Sequence, residues 1–159
     1  MVAAAFMTAG ALGSAASRQP PASQQQQPPP PAGQETAAAA QDQGRTVWDG
    51  VYTAEQAARG KAAYTDQCSS CHGADLSGGE MAPPLSGALF AGNWDGLTAG
   101  DLTERIRITM PQGKEGTLSR QDVADIVAAV FAANSFPAGT TELAKELEVQ
   151  KTIKITMKK

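Results

Sequence analysis

Three stretches of the chain carry apolar residues at helical spacing. The first opens at Thr53, an N-cap residue, with Gln56 three positions on to complete a capping box. It runs through Ala57, Ala58, Lys61 and Tyr64 toward Cys68. The second starts at Thr98 or Ala99, places Leu102 and Ile106 on one face, and runs to Thr109, where Pro111 stops it. The third starts at Ser119 with Asp122 three residues on. Val123, Ile126, Val127 and Val130 then repeat as a buried face until Asn134, Pro137 and Gly139 end it. Between the first two lie Gly73, Gly78, Gly79, Pro83, Pro84, Gly87 and Gly92, which read as loop. No strand is convincing between 45 and 139. The predicted fold class is all-α: three main helices joined by long loops.

The flanks have different patterns. Residues 1–17 form an uncharged, Ala-rich apolar run that ends in Ser14, Ala15, Ala16 and Ser17, a small-residue cleavage pattern. They are expected to be a secretory signal peptide, or an N-terminal anchor if uncleaved, although no basic residue precedes Arg18. Residues 18–44 are rich in Gln, Pro, Ala and Ser, with Gln24 to Gln27 running into Pro28 to Pro31. Such a segment has almost nothing to bury and reads as a disordered linker. Residues 140–159 form a C-terminal extension in which Leu143 and Leu147 give way to Ile153, Ile155 and Met157 at strand spacing. A packed extension and a loose basic tail are both compatible with that pattern. The folding domain is therefore placed at 45–139.

Composition narrows the chemistry. Aromatic residues are 5% of the 159, which leaves a domain of this size few large side chains to bury and makes an internal cofactor useful as filler. The net charge of −3 argues against an electrostatic grip on nucleic acid or an anionic membrane, so membrane contact would come only through an uncleaved N-terminus. The chain has two cysteines and one histidine.

Those three residues fall together as Cys68-Ser69-Ser70-Cys71-His72, the Cys-x-x-Cys-His sequence of covalent haem c attachment. On a helical turn the cysteine sulfurs are spaced to meet the two vinyl groups of one haem, and His72 follows as proximal iron ligand. A thioredoxin-like redox pair would need a βαβ setting, and a structural zinc site would need four ligands. A Cys68–Cys71 disulfide remains open for a chain that never receives haem. With a single histidine, a second imidazole ligand from this chain is excluded, and methionine is the natural sixth ligand. Met110, at the end of a helix and before Pro111, is favoured because its loop can cross the far face of the ring. Met81, in the Pro-rich loop expected on the proximal side, and an iron with no sixth protein ligand are the alternatives.

The runs RGKAAYTDQCSSCHG, APPLSG, TMP and LSRQDVADIVAAVFAAN, from about Trp48 to Gly139, resemble class I cytochrome c domains. With SFPAG, the last is similar to cytochrome domains found with bacterial quinoprotein dehydrogenases. The resemblance implies the class I cytochrome c fold around one haem c bound through Cys68 and Cys71. It implies that the Pro83 carbonyl accepts from the His72 Nδ1–H, that Leu85 packs on the haem, and that Gly60 and Tyr64 meet the last helix. It also makes Trp94 and Arg107 candidates to reach a haem propionate. Such domains usually carry an aromatic near Ala129; here the nearby aromatic is Phe131, so either Phe131 substitutes or the helix contact is looser.

The function implied is periplasmic single-electron transfer between redox proteins, a dehydrogenase donor and an oxidase or other cytochrome acceptor. Two other readings are a dedicated cytochrome subunit of a quinoprotein dehydrogenase and a small-ligand-binding haem protein with an open iron. No catalytic residues are expected: the histidine is committed to iron and no paired carboxylates stand out. Acidic residues outnumber basic ones between Arg45 and Gly139, which suits a partner with a basic docking patch.

Overall fold

The computed structural model describes residues 44–157, so the signal read at 1–17 and nearly all of the linker read at 18–44 lie outside the described residues. The elements in chain order are β1 (Arg45–Thr46), a 3-10 turn (Val47–Asp49), α1 (Ala54–Gln67), α2 (Ser69–His72), α3 (Gly87–Trp94), α4 (Ala99–Thr109), α5 (Arg120–Ala133), α6 (Leu147–Gln150) and β2 (Ile153–Lys154). The architecture is all-α, as expected, with the class I cytochrome c arrangement of helices and long loops. Among the described residues no helix is long and apolar enough to cross a membrane.

Local chemistry sets the three long helices. Thr53, Thr98 and Ser119 are extended N-caps whose hydroxyls accept from the backbone N–H three residues on. At Thr98 and Ser119 the box closes, because Asp101 and Asp122 reach back to the cap N–H. At Thr53 it does not close, contrary to the sequence pattern. The Gln56 side chain turns inward, donating to Asp125 Oδ1 at 3.1 Å and Leu143 O at 3.0 Å and accepting from Leu143 N at 2.7 Å. A buried partner set outweighs one exposed reciprocal cap bond.

α1 packs along α5, and Gly60 is where their backbones meet: a Cβ there would lie 1.7 Å from the Asp125 carbonyl oxygen. Asp125 is buried, yet its carboxylate accepts from Gln56, from Arg59 Nε at 3.0 Å and from Gln121 Nε2 at 2.8 Å. Both carboxylate partners, Asp125 first and Glu142 next, push the Arg59 guanidinium pKa above its ordinary value. Phe131 is fully buried and meets Phe136 edge-on at 5.7 Å and Tyr52 at 6.4 Å. The α1–α5 contact is therefore tight, with Phe131 filling the core from two positions beyond Ala129.

Two further features depart from the sequence pattern. β1 and β2 pair in parallel, Arg45 with Ile153 and Thr46 with Lys154, a small ribbon between distant parts of the chain. Residues Gly87–Trp94, inside the stretch read as loop, form the helix α3, with Phe90 buried and Trp94 stacked on it at 6.3 Å. Its glycines sit at or near its ends, so they obscure the pattern without breaking the turn.

The segment after Gly139 is packed as far as Met157. Leu143, Ile153 and Ile155 are buried in the same apolar core as Tyr64, Phe90 and Phe131. Ile155 exchanges backbone bonds with Gly96 and Leu97 at 2.8 Å each, and Trp48 Nε1 donates to Thr156 O at 2.8 Å.

Candidate functional site

α1 ends at Cys68, whose N–H still bonds to Tyr64 O at 2.8 Å while its own backbone leaves helical geometry. The chain then re-enters a single turn, α2, with Cys71 N and His72 N both donating to Cys68 O at 3.1 and 3.0 Å. This turn brings Cys68, Cys71 and His72 to one side of the molecule. Burial pushes the Cys68 thiol up to about 11, and the neighbouring Cys71 adds to the shift. Burial thus disfavours the thiolate form of Cys68.

The loop from Gly73 to Ser86 folds back under this turn. Gly78 N donates to His72 O at 2.8 Å, Leu85 N to Leu76 O at 2.9 Å, and the Tyr64 hydroxyl to Gly73 O at 2.5 Å. Asn134, the C-cap of α5, holds the far end of the loop through Leu85 O at 3.0 Å and Gly87 N at 3.1 Å. The product of this folding is one short contact: His72 Nδ1 lies 2.8 Å from Pro83 O. A carbonyl oxygen only accepts, so Nδ1 carries the proton and Nε2 keeps its lone pair. His72 is 8% exposed, so its ring is held by packing as well as by this bond.

Met110 is the C-cap of α4, its N–H bonded to Ile106 O at 2.9 Å. It lies on the same cavity, of about 310 Å³, as Cys68, Cys71, His72, Pro83 and Leu85. Six of the residues expected at the site are thus brought together. Trp94 and Arg107 are not among the residues that line it: Trp94 is half-buried on Phe90, and Arg107 sits partly exposed on α4. Met81, 79% exposed, also lines the cavity. Gln67, Gln112 and Lys114 are among the wall residues that were not singled out from sequence. Their only sequence signal is proximity to Cys68 and Met110.

Two thiols, an imidazole with a free Nε2 and thioether sulfurs around one largely apolar hollow fit an iron porphyrin held by its vinyl groups and ligated through nitrogen and sulfur. Fold and donor set together define a haem-binding electron-transfer protein.

A family model and a relative of known sequence agree with this reading. Residues 55–128 match the family model described as cytochrome c oxidase, cbb3-type, subunit III. The chain is 35% identical over 92 residues to cytochrome c-554(547) of Halothiobacillus neapolitanus, covering 56% of this chain and 85% of that protein. Among solved structures it is similar to the sulfane dehydrogenase SoxCD of Paracoccus pantotrophus. That match is at 25% identity and a TM-score of 0.42, and covers 57% of this chain and about half, 53%, of the other. The chain belongs to the c-type cytochromes: it is a monohaem electron-transfer protein with covalently bound haem c.

Proposed function

We propose that the protein carries single electrons between redox proteins in the periplasm, with His72 and Met110 as the axial ligands of its haem. The ligand assignment is supported by the placement of His72 and Met110 on one cavity, with the Pro83 carbonyl orienting the imidazole and Met110 fixed at a helix end, whereas Met81 on the same cavity is 79% exposed in a loop. Haem c, when bound, supplies reversible one-electron chemistry. The chain's own residues do the rest. Cys68 and Cys71 would anchor the group, Pro83 fixes the tautomer that leaves Nε2 as donor, and Leu85 would pack against the group. A thioether from Met110 favours the reduced state and so raises the potential. With both axial positions filled from the chain, electron transfer is favoured over small-ligand binding.

The same reading takes 1–17 as an export signal and 18–44 as a spacer ahead of the folded domain, because haem c attachment belongs to the oxidising side of the membrane. Oxidised protein is expected to show the weak red-edge absorption of methionine–iron ligation. Met110→Ala should abolish it while Met81→Ala leaves it intact. Loss in Met81→Ala alone would reassign the ligand.

A further inference from the structure

We propose that the C-terminal segment is a brace that positions Met110 against the iron by clamping the opposite end of α4. This rests on the assignment of Met110 as axial ligand. α4 is buried along only half its length. Ala99, Gly100, Leu102 and Thr103 are in the interior, whereas Glu104, Arg105 and Ile108 face solvent, Ile108 at 65% exposure. In the half that ends at Met110, Ile106 is the apolar side chain packed against the core, and it is only partly buried. An eleven-residue helix is a stiff rod about 16 Å long, so its buried first half sets where its last residue points.

That first half is gripped by residues after Gly139. A Cβ at Gly100 would lie 2.6 Å from Lys151 Cγ and 2.9 Å from Lys151 N, so the turn after α6 lies directly on the α4 backbone. Thr98, the N-cap of α4, bridges to Lys154. The turn leading into α4 exchanges bonds with Ile155 through Gly96 and Leu97, and Asp95 Oδ1 accepts from Met157 N at 2.9 Å. None of these residues lines the cavity. The brace acts through α4 alone, and its residues are positioning residues.

The consequence is a ligand whose hold on iron depends on contacts at the far end of a helix. An added ligand such as imidazole binds where Met110 has let go, so its apparent affinity rises as the displaced state becomes less costly. Gly100→Ala is informative because it improves the intrinsic helix propensity of α4 while forcing Lys151 away. Ile155→Val loosens the brace at a second point without steric intrusion. Tyr52→Phe, which removes the hydrogen bond to Phe136 O on the other side of the core, controls for general loss of stability.

The experiment titrates the oxidised full-length protein and these variants with imidazole and follows loss of the red-edge methionine absorption. Gly100→Ala and Ile155→Val are expected to bind imidazole roughly tenfold more tightly than the parent, with the haem retained and Tyr52→Phe unchanged. Equal affinities in all four proteins, or a matching shift in Tyr52→Phe, would overturn the brace while leaving Met110 as ligand. A parent protein without the methionine absorption would overturn both.

Discussion

A single hydrogen bond decides which nitrogen of His72 is available. The Pro83 carbonyl, fixed by a loop tied to Tyr64, Leu76 and Asn134, accepts from Nδ1 and leaves Nε2 as the donor. Tyr64 belongs to the same support. Its hydroxyl donates to Gly73 O, and burial, with a smaller contribution from the Asp75 carboxylate, pushes its pKa from 10.0 up to about 12. The protonated form is the one the fold favours. Its contribution to stability is full below pH 10 and is lost as pH rises from about 10 through 12. Unfolding free energy measured by urea titration should fall across that window. In Tyr64→Phe the fall should be shallower and stability at neutral pH lower by about 1 kcal/mol, the ordinary worth of one such bond. Superimposable alkaline profiles would show that Tyr64 does not support the loop. At this scale Cys68, Cys71 and His72 were legible because their chemistry is contiguous in sequence. Met110 was reached by elimination, and the structure places it on the same cavity wall as Met81. Trp94 and Arg107 rested on resemblance, and the cavity wall passes them by.

At the scale of elements, α1, α4 and α5 begin where Thr53, Thr98 and Ser119 predict, because an N-cap is a local device that the next three residues complete. α3 was hidden because Gly87 and Gly92 resemble loop residues, and its stability comes from Phe90 entering a core that local pattern does not reveal. The Thr53 box failed for a related reason: Gln56 found partners at Asp125 and Leu143, far along the chain. The α1–α5 crossing depends on the absence of a side chain at Gly60. Gly60→Ala would improve helix propensity yet drive a methyl into the Asp125 carbonyl, so a net loss of about 3 kcal/mol is expected from thermal or urea unfolding. A neutral or stabilised variant would mean that the helices separate freely.

For the whole molecule, one apolar core joins the helices, the 3-10 turn and the segment up to Met157. The parallel pairing of Arg45–Thr46 with Ile153–Lys154 closes the chain on itself, a contact between positions over a hundred residues apart that no local signal announces. The apolar spacing of Ile153 and Ile155 hinted at a strand; only the tertiary structure supplies its partner. The same segment bonds through Ile155 to the turn that leads into α4, the helix that ends at Met110 on the cavity wall. Everything in this arrangement serves a single iron porphyrin held through two sulfurs, and the intact mass of the purified, matured protein under denaturing conditions tests that most directly. The expected mass is that of the mature polypeptide plus one haem, unchanged by unfolding and lost in a Cys68→Ala, Cys71→Ala double variant. A matured protein whose denatured mass equals that of the bare polypeptide would contradict the account.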